Sequence, residues 1–158
     1  MKNRTKLMTL ALVAVLLLAS VVACGGKKEA ITPEAFKTAA EAAGMTVEDA
    51  SDIYTDSIFT GALLATHPDG WKVVYLSIDT AENAHKYFDT MKTFVEGKKT
   101  GAGSSQTTVR DTWAFYSQTN GGEFAYVGQI DASMIYVEPV YADSYKDAIQ
   151  AFIKTIGY

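Results

Sequence analysis

Hydrophobic and polar positions along the chain recur with two different periods, and each period predicts a different kind of element. Three segments repeat apolar residues at helical spacing between a capping residue and a glycine: Thr32 to Gly44, Asp79 or Thr80 to Gly97, and Asp143 or Ser144 to Gly157. Five others read as strands: Ile58–Thr66, Trp71–Ile78, Thr112–Gln118, Glu123–Ile130 and Ser133–Val140. The predicted order of elements is therefore α-β-β-α-β-β-β-α.

The connections between the predicted strands are short and rich in turn residues. The stretch His67-Pro68-Asp69-Gly70 joins the first two strands, while Asn120-Gly121-Gly122 and Asp131-Ala132 join the last three. Hairpins of this kind build antiparallel sheets. We therefore expect an α+β fold, a two-layer sandwich with an antiparallel sheet of about five strands and helices on one face. Gly128 in mid-strand suggests a bulge.

Two further patterns concern the organisation of this domain. Residues 98–108 hold Gly and Ser clusters but no large apolar residue, which predicts a mobile loop of about a dozen residues. A hairpin followed by a helix is predicted twice, over residues 58–96 and 123–156. Such a repeat fits either an old duplication or the general similarity of any two hairpin–helix units.

The first residues of the chain have the composition of an export signal. Three basic residues, Lys2, Arg4 and Lys6, precede an uncharged stretch of 17 residues from Leu7 to Ala23. A span this long lies at the lower edge of what crosses a bilayer, so its length alone fits either a cleaved signal or a permanent transmembrane anchor.

The residues Val21-Val22-Ala23-Cys24 resemble the lipobox of bacterial lipoproteins, and Cys24 is the one cysteine in the chain. The resemblance implies that a diacylglycerol is attached to the Cys24 thiol and that a signal peptidase cuts between Ala23 and Cys24. Two acyl chains, palmitate among the expected ones, suffice for stable anchoring. We expect a signal peptide over 1–23, a lipidated Cys and flexible tether over 24–31, and one domain over 32–158, held on the outer face of the cell membrane.

The charge of the mature chain limits the partners it could bind. Cleavage before Cys24 removes three of the 14 basic residues and none of the 18 acidic ones, so the net charge becomes −7. Nucleic-acid binding needs a basic surface, so we expect no nucleic-acid partner. The expected partners are the lipid bilayer, through the Cys24 anchor, and an unidentified protein or small molecule.

Aromatic residues supply the candidate ligand surface: Trp113, Phe115, Tyr116, Tyr126 and Tyr136. Tyrosine and tryptophan on an open sheet face suit the binding of sugar, peptide or protein. Strand alternation places Tyr116 opposite Trp113 and Phe115. One face must therefore expose an aromatic side chain unless both faces are covered.

Residues that could support catalysis or bind metal are sparse. The two histidines, His67 and His85, have no partner at ligand or triad spacing, so we predict no metal and no catalytic residue. Glu123 and Glu138 could face each other across a hairpin, although surface carboxylates are common. No cofactor is expected apart from the covalent diacylglycerol. The sequence favours a non-catalytic binding module, with an envelope hydrolase or an accessory subunit of a membrane complex as alternatives.

Overall fold

The computed structural model describes residues 28–98 and 102–158. The predicted signal peptide, its cleavage site and Cys24 lie outside the described residues. The helices are α1 (Pro33–Ala42), α2 (Ala81–Gly97) and α3 (Ala142–Thr155). The strands are β1 (Thr46–Asp49), β2 (Phe59–Thr66), β3 (Lys72–Ile78), β4 (Gly103–Val109), β5 (Trp113–Asn120), β6 (Glu123–Ile130) and β7 (Ser133–Tyr141).

Local signals in the sequence account for the ends of the first elements. The Thr32 side chain accepts a hydrogen bond from the Ala35 amide and caps α1, and Thr80 caps α2 through the Asn83 amide. The predicted turn between β2 and β3 forms, with Gly70 at a φ of +94° that favours glycine. These caps and this turn are confirmed.

The strands form one antiparallel sheet in the order β1-β2-β3-β7-β6-β5-β4. The predicted α+β class and the antiparallel pairing are confirmed. The predicted strand number and element order are wrong, because the sheet has seven strands and two of them, β1 and β4, were not predicted. Both are edge strands, whose side chains need little burial and so leave little hydrophobic signal in the sequence.

Strand β4 occupies most of the segment that the sequence predicts as a mobile loop. It pairs with β5 from Gly103 opposite Asn120 to Val109 opposite Ala114. The loop prediction is wrong for these residues, while residues 99–101 lie outside the described ones. A Cβ atom at Gly103 would lie 2.2 Å from the Thr119 carbonyl oxygen, so β4 begins at a position where only glycine fits.

Helices cover both faces of the sheet, which corrects the predicted two-layer arrangement. We call the face under α1 and α3 the first face and the face under α2 the second face. In β3, Val73 and Tyr75 join the core with Phe36 of α1, whereas Val74 and Leu76 join a separate core on the other face. The central strands are apolar on both sides, so neither face could remain in water.

The start of the described chain packs on the first face. Ala30 and Ile31 contact its core, and the Tyr75 hydroxyl donates a 2.8 Å hydrogen bond to the Ile31 carbonyl. Residues 28–31, which the sequence assigns to the flexible tether, therefore lie against the domain.

Gly128 does not mark a bulge, since its pairing with Ile135 is in register; the irregularity falls between Phe124 and Tyr126. A Cβ atom at Gly128 would lie 2.8 Å from ring atoms of both Tyr126 and Tyr158, so this glycine makes room for two tyrosine rings. The two predicted hairpin–helix units form as β2-β3-α2 and β6-β7-α3. Their helices lie on opposite faces of the sheet, so the two units are not simple copies of one arrangement.

Candidate functional site

A groove runs along the first face between α3 and the β4–β5 edge of the sheet. It exists because α3 packs over β6 and β7, whereas the first-face side of β4 and β5 has no helix above it in the described chain. We call it the α3–β4 groove. It is lined by Ser104, Ser105, Gln106, Thr108, Phe115, Ser117, Thr119, Phe124, Tyr126, Lys146, Gln150, Ile153 and Tyr158.

The α3–β4 groove consists of two neighbouring hollows with different linings. The polar hollow, of about 260 Å³, carries Ser117, Thr119 and Gln150, and the Lys146 ammonium lies 6.0 Å from the Phe124 ring. The aromatic hollow, of about 220 Å³, is lined by Phe115 and by two residues at its floor, Tyr126 and Tyr158. Gln106 and Ser117 line both hollows and so connect them. Among the described lining residues, Lys146 alone is charged.

The phenols at the floor of the aromatic hollow are fixed by burial. Burial raises the pKa of Tyr126 and of Tyr158 well above the usual value of a phenol. The Tyr158 hydroxyl is hydrogen-bonded to the Ser133 hydroxyl, which ties the end of the described chain to β7. Both tyrosines therefore stay neutral at physiological pH and form the floor of the aromatic hollow.

Beyond the aromatic hollow, two cations flank the exposed part of β5. The Lys28 ammonium lies 4.4 Å from the Phe115 ring centroid and 5.6 Å from that of Trp113, and it donates a 2.9 Å hydrogen bond to the Gly157 carbonyl. The Arg110 guanidinium lies 5.6 Å from the Trp113 centroid. We call Lys28, Arg110, Trp113 and Phe115 the Trp113 patch. Burial lowers the pKa of Lys28, as expected for an ammonium partly withdrawn from water.

The outer side of β4 forms the other boundary of the α3–β4 groove. This strand is the last in the sheet, and no strand of the described chain lies beyond it. Its sequence, Gly-Ser-Ser-Gln-Thr-Thr-Val, is uncharged, and six of its seven residues are exposed. An edge of this kind presents backbone N–H and C=O groups that can pair with a further strand.

The predicted aromatic surface does not form one platform. Trp113 and Phe115 lie half-buried on the first face, and Tyr126 is buried beneath them. Tyr116 and Tyr136 lie on the second face and are buried. The Tyr116 hydroxyl donates a 2.6 Å hydrogen bond to the Gln118 side chain there. The helices on both faces thus cover most of the predicted aromatic set.

Tyr136 belongs to an aromatic cluster on the second face. The Phe59 ring meets those of Tyr54 and Tyr87 edge to face, at centroid distances of 5.6 and 5.0 Å. Burial, with a further contribution from the Glu138 carboxylate, raises the pKa of Tyr136 to about 12. A general acid or base works best with a pKa near the working pH. This shift moves the phenol in the opposite direction, so the cluster is better suited to hydrogen bonding than to proton transfer.

The remaining candidate residues from the sequence are two glutamates and two histidines. The register pairs Glu123 with Tyr141, so Glu123 and Glu138, both exposed, do not face each other across the hairpin and do not form a carboxylate pair. His67 stacks on Trp71 in the β2–β3 turn, and His85 stacks on Phe88 of α2. Within residues 28–98 and 102–158, no three His, Cys, Asp or Glu side chains come together as a metal site would require.

Sequence reasoning missed the residues that build the α3–β4 groove. Gln106 falls in the segment that the sequence predicts as a mobile loop, and no sequence pattern gives a role to Lys146 or Gln150. The β-branched run Thr107-Thr108-Val109 was the available signal for β4. No local pattern could have shown that Lys28 meets Phe115, because their contact joins distant parts of the chain.

Comparisons with known proteins found no protein-family model, no curated protein and no solved structure that matches this chain. None of the helices in the described residues is both long and apolar enough to cross a membrane.

Proposed function

We propose that this chain is a lipoprotein tethered through Cys24 to the outer face of a bacterial cell membrane, and that its domain is a non-catalytic binding module. The anchor is supported by the residues Val21-Val22-Ala23-Cys24, which follow a basic start and an uncharged stretch. These residues lie outside the described structure, so this part of the proposal rests on the sequence.

The observation that carries the binding role is the open β4 edge beside the α3–β4 groove. An extended peptide could pair with β4 and become the next strand of the sheet, as in other cases of strand addition. Because successive side chains of a strand alternate, every second residue of that peptide would project to the first face. There it would lie beside the groove that Gln106 lines, with α3 as the far wall.

The lining of the groove indicates the chemistry of such a peptide. An apolar or aromatic side chain fits the hollow at Phe115 and Tyr126. A carboxylate fits the polar hollow, where the Lys146 ammonium provides the charge and hydroxyl and amide groups provide further hydrogen bonds. The preferred ligand is therefore an extended segment that carries an apolar residue and an acidic residue on the same face.

The alternative of an envelope hydrolase has less support. A catalytic site would be expected to combine convergent polar groups with pKa values moved toward the working pH. Among the described residues, the large upward shifts fall on tyrosines and follow from burial. The groove beside an open sheet edge fits the binding of a polypeptide better.

Two measurements test the two parts of the proposal separately. The anchor predicts that the protein extracted from membranes begins at an acylated Cys24, as mass spectrometry would report, and that Cys24→Ser abolishes this form. An intact precursor or an unmodified Cys24 in the membrane fraction would exclude the lipoprotein role.

The binding role is tested with a phage-displayed library of random peptides selected against the mature protein. We expect selected peptides to alternate in polarity and to carry a carboxylate. We expect Lys146→Glu to weaken their binding by at least about tenfold, because it removes one charge-assisted hydrogen bond and places a like charge beside the carboxylate. Lys37→Glu on α1 is the matched control, since Lys37 is exposed and is not among the residues that line the groove. Equal loss in both variants, or no enrichment, would contradict the role of the groove.

A further inference from the structure

The chain is fixed to the domain only a few residues after the proposed lipid. Lys28 is held by the Gly157 carbonyl and by the rings of Phe115 and Trp113, and Ile31 is held by the Tyr75 hydroxyl. Between Cys24 and Lys28 there are four residue steps, which span at most about 14 Å when fully extended. The point where the chain meets the domain must therefore remain near the bilayer, an argument that rests on the proposed Cys24 anchor.

The surface at that point has the composition of a membrane interface. Trp113 is half-buried, so part of its indole ring faces outward between the Lys28 ammonium and the Arg110 guanidinium. Tryptophan prefers the headgroup level of a bilayer, and lysine and arginine there can reach lipid phosphates. Val109, next to Arg110, is 45% exposed at the same end of the sheet, on the second face.

We propose that the Trp113 patch rests against the headgroup region of the bilayer and thereby fixes the orientation of the domain. The β4–β5 turn, residues 110–112, then faces the membrane. The polar hollow with Lys146 lies at the other end of the groove and faces away from it. A peptide bound along β4 would approach from the aqueous side and run toward the lipid surface.

The charges around the patch explain why the anchor is needed. Lys28 and Arg110 favour anionic headgroups, but exposed carboxylates of Glu29 and Asp111 lie next to them in the chain, and the mature chain carries a net charge of −7. The patch alone would bind lipid weakly. Attachment through Cys24 makes its encounter with the headgroups intramolecular and raises its effective concentration.

The two tryptophans of the chain allow a direct test. Trp113 is half-buried in the patch, whereas Trp71 is 3% exposed in the core of the first face. The acylated protein, extracted from membranes, would be reconstituted into vesicles of phosphatidylcholine and phosphatidylglycerol whose acyl chains carry bromine. Bromine quenches tryptophan fluorescence over short distances. The parent is compared with Trp113→Phe, which leaves Trp71 as the reporter, and with Trp71→Phe where that variant folds.

We expect Trp113 to lose most of its emission in brominated vesicles and Trp71 to keep most of its own. The double substitution Lys28→Gln with Arg110→Gln should reduce the quenching of Trp113, while Lys86→Gln on the exposed side of α2 should not. Protein that sediments with the vesicles while Trp113 is no more quenched than Trp71 would overturn this orientation and leave the anchor intact. If Cys24 of the extracted protein carried no acyl group, the proposed function would instead be overturned, and the orientation with it.

Discussion

The two edges of the sheet differ in length, charge and neighbours. Strand β1 has four residues and ends in Glu48 and Asp49, whereas β4 has seven residues without a charge. Short length and charged side chains are the usual means by which proteins prevent further strand pairing at an edge. The β1 edge has both protections and β4 has neither. An unprotected edge risks aggregation, so its retention beside a groove supports a binding role for β4.

The edges also differ in what holds them in place. Asp49 at the end of β1 accepts a 2.8 Å hydrogen bond from the Ser51 amide, and the Ala50 amide bonds to the Ala62 carbonyl. The end of β1 is thus held by one turn contact and by its pairing with β2. The β4 edge instead lies beside the hollow whose floor is formed by the buried phenols of Tyr126 and Tyr158. The two edges should therefore respond to different perturbations.

The largest expected effect is a loss of folding stability when the pH is raised. The pKa of Tyr126 and Tyr158 is raised in the folded state, so their contribution to stability is complete below the unfolded pKa of about 10 and is lost as pH rises above it. Each phenol would then lower the free energy of unfolding by about 1.4 kcal/mol per pH unit. We expect tyrosinate absorbance to rise together with loss of near-ultraviolet circular dichroism. Early, non-cooperative ionisation of all nine tyrosines would contradict this.

Lowering the pH should instead destabilise the β1 edge. The Ser51 backbone and side chain lower the pKa of Asp49, so the turn after β1 is stabilised above the unfolded pKa of that carboxyl group and loses this contribution as pH falls below it. Amide exchange measured at low pH should therefore rise at Ser51 before it rises in β4. An Asp49→Asn variant should lose the pH dependence.

The interior of this fold could be predicted from the sequence and its edges could not. The strands β2, β3, β6 and β7 have apolar residues, so hydrophobic periodicity was sufficient to predict them. The residues Pro68-Asp69-Gly70 were sufficient to predict the turn. Strand β4 buries almost nothing, so its only local signal is β-branched propensity, which is weak without packing.

The number of layers and the α3–β4 groove could not be predicted from local sequence patterns, for a different reason. Val73, Tyr75, Val74 and Leu76 are apolar on both sides of β3, a pattern that indicates a sheet covered on both faces. A two-layer sandwich with helices on one face leaves the other apolar side of β3 uncovered. The α3–β4 groove depends on where α3 lies relative to β5, and this is a matter of tertiary packing.

Among the substitutions, the largest effect is expected at Gly103, the first residue of the open edge. Gly103→Ala would place a Cβ atom 2.2 Å from the Thr119 carbonyl oxygen, so β4 must shift away from β5. We expect a loss of about 1–3 kcal/mol in the free energy of unfolding, typical of overpacking, together with weaker peptide binding. Gly97→Ala at the end of α2 is the control, because a Cβ atom there meets nothing within 4 Å. Urea denaturation of both variants would measure the difference.

A smaller effect is expected when β4 is given a charged side chain, as β1 has. Thr107 is exposed on β4, and Thr107→Lys should change the free energy of unfolding by no more than about 0.5 kcal/mol. Peptide binding and self-association on heating should both fall, because a lysine on the edge disfavours strand addition. Thr55→Lys, in an exposed loop, adds the same charge away from the edge. Should the loop variant reduce peptide binding equally, net charge rather than the edge would be the cause.

The smallest effect is expected from the reverse change at β1. Glu48→Thr removes an exposed carboxylate and makes β1 resemble β4 in composition, while Asp49 keeps its bond to the Ser51 amide. We expect stability within about 0.5 kcal/mol of the parent, as for most surface substitutions. Peptide binding should not increase, because four residues offer few backbone groups and no described groove flanks them. Asp52→Asn serves as the control, since it removes one negative charge from an exposed residue outside the strands. A gain of peptide binding in Glu48→Thr but not in Asp52→Asn would mean that charge alone protects β1. The groove would then not be what distinguishes the two edges.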